Sequence, residues 1–180
     1  ELIASAGADI IQLRNKNNDS VKLLKHTQII NSICLKHQTL FILNDHCDLA
    51  RIAKTDGVHI GRTDLPIGEA KNILNESQII GNSNATIQEI EQSSKLGADY
   101  IAVGAIFFSQ TKLNTKPSSL EIIRQAKDIV SQPIVAIGGI NLSNIKQVID
   151  SGANAFCVAS AITKAEDPEK VIYEMKQYIS

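Results

Sequence analysis

The sequence predicts an α/β protein built on a parallel sheet, and three observations carry that reading. Short β-rich apolar runs alternate with stretches of helical spacing along all 180 residues. The runs are near-continuously apolar instead of strictly alternating, as a strand buried on both faces requires. Helical stretches end repeatedly on a glycine-alanine pair that leads straight into the next run.

The runs cover residues 9–14, 40–45, 57–61, 78–83, 100–105, 133–139 and 155–162. Residues 1–7 ahead of them read as the tail of a helix. Between the runs, Leu23, Leu24, Ile30, Ile33 and Cys34 share one helical face, as do Ile87, Ile90 and Ser94, and Ile145, Val148 and Ile149. Thr86 with Glu89 and Ser118 with Glu121 match the capping box, in which a hydroxyl accepts from a backbone N–H and the acid reaches back. Asp48 starts or caps the helix after the second run, and Asp64, just before Leu65 and Pro66, can cap the next one. Gly7, Gly97 and Gly152 supply left-handed helix stops. Seven units in alternation imply right-handed crossovers in an all-parallel sheet, and both a doubly wound sheet and a barrel satisfy that pattern. No linker or composition break marks a second domain.

Composition narrows the function. Lys plus Arg is 18 and Asp plus Glu is 19, a net charge of −1, so no broad electrostatic footprint for nucleic acid or an anionic membrane is expected. The longest apolar stretch, 100–108, falls well short of the roughly 18 residues of a membrane span. No basic-then-apolar targeting segment opens the chain. Three widely spaced cysteines, Cys34, Cys47 and Cys157, argue against a disulfide framework and for a reducing, cytoplasmic setting. The single methionine is Met175, so Glu1 is not expected to be a native translation start.

Chemistry in a parallel barrel belongs where strands stop. Alternation puts Gln12, Arg14 and Lys16 on one side of the first strand's end, and two cations there suit a phosphate or pyrophosphate. The plainer reading pairs Arg14 and Lys16 with Asp19 or solvent. The second run ends in Asn44 and Asp45, and the third leads to Asp64. Carboxylates from adjacent strands can share Mg2+, which takes one or two carboxylates, waters and substrate phosphates. His46 beside Cys47 has no further Cys or His at zinc spacing. His26 and His37 read as surface residues, His59 as a satisfied interior histidine, Cys34 and Cys157 as small buried hydrophobes, and Cys47 as a thiol near the site. Ser83 ends the fourth run, and Ser109, Gln110, Thr111 and Lys112 follow the fifth as a hydrogen-bonding loop for a polar ligand. Gly138 and Gly139 after one run, with Ala159 and Ser160 after the last, let backbone N–H groups approach a phosphate; the alternative is a tight turn alone.

In that order, QLRNK (12–16), ND (44–45), DGVHIGRTDLP (56–66), IIGNSNAT (79–86), GADYIAVGAIFFSQTK (97–112), AIGGI (136–140) and VASAI (158–162) resemble the thiamine-phosphate synthase family. The resemblance implies a TIM (β/α)8 barrel whose first strand would precede Glu1. Residues 1–180 are then a single, N-terminally incomplete domain of seven βα units. It implies a Mg2+-dependent transferase that couples hydroxymethylpyrimidine diphosphate to hydroxyethylthiazole phosphate and releases pyrophosphate. The partners it implies are small phosphorylated molecules, with the oligomeric state left open. Gln12, Arg14, Lys16, Asn44, Ser83 and Lys112 would hold the pyrimidine diphosphate, with Leu13, Asn15 and Gln110 in the same substrate-binding segments. Arg14, Lys16, Ser83 and Lys112 would act on the reacting groups, and Asp45 and Asp64 would hold the metal. Ser109 and Thr111, with the backbone at Gly139, Ala159 and Ser160, would take the thiazole phosphate. Ala105, Ser109 and Ala85 depart from the family's usual proline, threonine and histidine. A thiazole tautomerase-like isomerase and an inactive phosphate-binding fragment are the alternatives. Retention of Arg14, Lys16, Asp45, Asp64 and Lys112 favours the synthase, and Ala85 disfavours the isomerase.

Overall fold

The structure is a computed structural model that describes residues 1–16, 19–108 and 117–179. The strands are β1 (Ile10–Leu13), β2 (Leu40–Asn44), β3 (Gly57–Ile60), β4 (Ile79–Asn84), β5 (Tyr100–Gly104), β6 (Ile134–Ile137) and β7 (Ala155–Cys157). The helices are α1 (Leu2–Ser5), α2 (Ser20–His37), α3 (Cys47–Ala53), α4 (Ile67–Ile73), α5 (Ile87–Lys95), α6 (Leu120–Ile129), α7 (Ile145–Asp150), α8 (Ser160–Thr163) and α9 (Pro168–Lys176). Strand order in the sheet follows the chain from β1 to β7. A doubly wound sheet breaks that order at a switch point, so the uninterrupted order selects the TIM-barrel class, with seven βα units. No helix among the described residues is long and apolar enough to cross a membrane.

The chain divides into two compact units, Glu1–Gly81 and Asn82–Ser180. In the first, β1, β2 and β3 pair in parallel, with Gln12 opposite Ile42 and Asn44 opposite His59. Alternation sends Phe41, Leu43, Val58 and Ile60 to one face, where each is essentially fully buried. The other face carries Gln12, Asn44 and His59, the strands' polar side chains. Asp19 starts α2 by accepting from the Lys22 N–H at 3.0 Å. Buried Gln78 ties three segments together: its amide nitrogen donates to Ala50 O at 2.9 Å and Thr55 O at 2.8 Å, and its oxygen accepts from Asn75 N.

In the second unit, β5 pairs with β6 and β6 with β7, again in parallel. The capping box at Thr86 and Glu89 forms as expected and opens α5. Two expectations shift. The cap of α6 is Ser119, which accepts from Ile122 N, and not Ser118, because the chain remains extended through Ser119. The last apolar run is a strand only through Cys157. Ala159, Ser160 and Ala161 lack the branched side chains that favour a pleated strand, and the chain turns into α8. Gly7, Gly97 and Gly152 all have positive φ, as a left-handed helix stop requires.

Candidate functional site

Within the first unit, three strand ends deliver a charged cluster. Residues after β1 carry Lys16 to Asp45, which follows β2, and Lys16 Nζ donates to Asp45 Oδ2. The pairing of Lys16 with Asp19 or solvent is therefore not what the chain adopts; Asp19 is engaged by Lys22. Asp45 sits in the left-handed region at φ 69°, and its N–H donates to His59 O at 2.8 Å, so β3 fixes where the carboxylate emerges. Asp64 turns back and accepts from the Gly61 N–H at 2.8 Å. It does not cap the next helix: Pro66 occupies the N-cap of α4. Asp48 lies in the first turn of α3, as expected.

The Asp45 and Asp64 carboxyl groups are near enough to shift each other's protonation, Asp45 downward and Asp64 upward. Burial pushes Asp64 above its ordinary value, and the Asp45 carboxyl acts the same way. For Asp45 burial acts upward, but the Asp64 carboxyl, the Lys16 ammonium and the charge of Arg14 carry it below its ordinary value. Two carboxylates this close need either a shared proton or a shared cation. Their hard oxygens fit Mg2+. Among the described residues no group of three or more His, Cys, Asp or Glu side chains converges, so the remaining ligands of such an ion would be water and phosphate oxygens. Lys16 is half exposed along its side chain (52%) while that of Asp45 is largely covered (14%), so the lysine can swing to an arriving phosphate and leave the carboxylate in place. Gln12 and buried Asn44 share a face beneath the cluster, Arg14 is exposed at the end of β1, and half-buried Asn15 follows it. Leu13 is out of phase with Gln12, which leaves its backbone as the part available on that face.

The second unit carries Ser83 on β4 and a glycine turn after β6. Gly138 and Gly139 have φ of 107° and 63°. A Cβ on Gly138 would lie 2.7 Å from Ala105 Cα, and one on Gly139 would lie 2.5 Å from Phe108 O. The glycines thus admit the segment after β5, whose Ile106 and Phe107 N–H groups donate to Ile137 O and Gly138 O, each at 3.0 Å. The Gly104–Ala105 peptide is cis. Ala159 is exposed and Ser160 begins α8. Ser109, Gln110, Thr111 and Lys112 lie outside the described residues. Sequence reasoning missed the side chains behind Ser83: Asn82 and Asn84 flank it and meet Ser93 of α5. The signal was the Asn-Ser-Asn alternation at the end of an otherwise apolar strand.

A sequentially ordered parallel α/β fold, with cations and paired carboxylates after its strands, defines a class of barrel-type enzymes that act on phosphorylated small molecules. Residues 1–162 match the family described as thiamine monophosphate synthase. The chain is 41% identical over 162 residues to a thiamine-phosphate synthase of Halalkalibacterium halodurans, covering 89% of this chain and 77% of that one. It is 37% identical over 166 residues to another from Fusobacterium nucleatum, covering 92% and 81%. Among solved structures, thiamine phosphate pyrophosphorylase from Pyrococcus furiosus superimposes with a TM-score of 0.92 at 32% identity, covering 99% of this chain and 86% of that one. The chain belongs to the thiamine monophosphate synthase family.

Proposed function

We propose that this chain couples hydroxymethylpyrimidine diphosphate to hydroxyethylthiazole phosphate, with Asp45 and Asp64 as the Mg2+ ligands. The observation that carries the proposal is the Lys16–Asp45–Asp64 cluster, a cation and two facing carboxylates delivered by three strand ends. Gln12 and Asn44 orient the pyrimidine on the polar face of the sheet, and Arg14, Lys16 and Lys112 hold the diphosphate. The bond between the pyrimidine methylene carbon and the diphosphate oxygen breaks with its electron pair going to oxygen, and the cations offset the charge that develops there. Bound Mg2+ supplies further charge stabilisation to the same departing group. The thiazole nitrogen then donates its pair to the methylene carbon. Ser109, Thr111 and the backbone at Gly139, Ala159 and Ser160 hold the thiazole phosphate. No proton transfer is required in either step. The odd, widely spaced cysteines support a cytoplasmic setting.

The test is incubation with both substrates and Mg2+, following thiamine phosphate and pyrophosphate together. Equal yields of the two, lost on chelation and restored by added Mg2+, are expected. Conversion of the thiazole phosphate alone, without coupled product, would overturn the reading.

A further inference from the structure

Ser83 stands between two asparagines, and alternation along β4 turns Asn82 and Asn84 to one side and Ser83 to the other. On the asparagine side lies Ser93, in the middle of α5. Its hydroxyl is shared between two amide oxygens, Asn82 Oδ1 at 2.8 Å and Asn84 Oδ1 at 2.7 Å. The Asn84 amide nitrogen in turn donates to Asn82 O at 2.9 Å and reaches Ala102 O at 3.5 Å on β5. Asn84 is 2% exposed and Ser93 is 5% exposed, so these bonds are not exchanged with water. On the far side of Ser83, Glu89 Oε2 accepts from Ala85 N at 2.6 Å and Thr86 N at 3.1 Å. The strand end is therefore gripped before and after Ser83 by side chains of a single helix.

That arrangement exceeds what β4 needs. An apolar side chain at Asn84 would bury without a partner to find, whereas the polar network fixes one rotation of the strand end. We propose that Ser93 and Asn84 are positioning residues that aim Ser83 at the pyrimidine diphosphate. The proposal rests on the reading of Ser83 as a substrate-binding residue. Ser93 acts through Ser83, and a displacement of the order of 1 Å at a group that holds substrate can cost ~100-fold in rate.

A double-mutant cycle tests this, using Ser83→Ala, Ser93→Ala and the combination, with steady-state kinetics on both substrates and thermal melts of each variant. Ser93→Ala is expected to lower kcat by about 10- to 100-fold with the KM for thiazole phosphate unmoved. In the Ser83→Ala background it should add little, because the group it aims is already gone. Ser93→Cys, which keeps size and a weak donor, should recover part of the loss and serves as the measurable variant if Ser93→Ala fails to fold. Full activity in Ser83→Ala overturns the Ser83 assignment and this proposal with it. A slow Ser83→Ala beside an unchanged Ser93→Ala leaves the assignment standing and overturns the proposal. So does a loss in Ser93→Ala that adds in full to that of Ser83→Ala, since that is the signature of general destabilisation.

Discussion

Asp45 and Asp64 differ in what holds them, and that difference sorts their expected phenotypes. Asp45 is engaged by Lys16 and by the charge of Arg14, so its anion is compensated even before substrate arrives. Asp45→Ala removes a charge that acts while the diphosphate departs, and kcat should fall by about 100- to 1,000-fold with the far-UV spectrum unchanged. Near-normal turnover in that variant would sink the metal assignment. Asp64→Asn keeps an oxygen to accept from Gly61 N–H but has no charge to offer a cation. Its activity should recover as Mg2+ is raised, giving a higher half-activating metal concentration with a similar plateau. A variant that is equally slow at every metal concentration would place Asp64 outside the metal shell.

Elements show where local sequence chemistry suffices and where it does not. The Thr86–Glu89 box was legible because both halves of the motif lie within one turn. The α6 start was off by one residue because Ser118 and Ser119 are adjacent hydroxyls, and backbone extension through Ser119 decides between them. Ser119→Ala should cost about 1 kcal/mol in a denaturant melt. Ser118→Ala should cost almost nothing, because its buried hydroxyl has no hydrogen-bond partner among the described residues. The reverse ranking would return the cap to Ser118. The Gly138–Gly139 turn is a stricter element. Gly138→Ala meets Ala105 backbone at 2.7 Å with φ at 107°, so the turn or the segment after β5 must move. The melting temperature should drop, and affinity for the thiazole phosphate should drop with it. The charge cluster was only half legible: alternation placed Gln12, Arg14 and Lys16 together, but no spacing rule joins Lys16 to a carboxylate 29 residues away. The Ser93 brace was missed for the same reason, since it depends on how α5 packs back against β4.

At the scale of the whole molecule, a net charge of −1 conceals where titration matters. The alternation of strands and helices followed from hydrophobic runs and glycine stops, which are properties of each unit by itself, whereas the order of the strands in the sheet and the shifted protonation that burial brings belong only to the assembled sheet. Burial pushes the thiols of Cys34, Cys47 and Cys157 above their ordinary value, with Asp56 reinforcing it at Cys34 and Asp48 at Cys47. Burial also pushes up the Tyr100 phenol, with Cys157 adding to it. Each of these groups keeps its proton to higher pH in the folded chain than in the unfolded one. Above the range of a free thiol, near ~8.5, the unfolded state has released protons that the folded state still holds. Stability then falls as pH rises. Urea midpoints should therefore decline from pH 7.5 to pH 9.5, and replacing Cys157 with alanine should flatten that decline. A thiol reagent at pH 8 should label the native chain slowly and reach three groups only on unfolding. Rapid native labelling of Cys47, the thiol two residues from Asp45, would show instead that the loop after β2 opens to solvent without global unfolding.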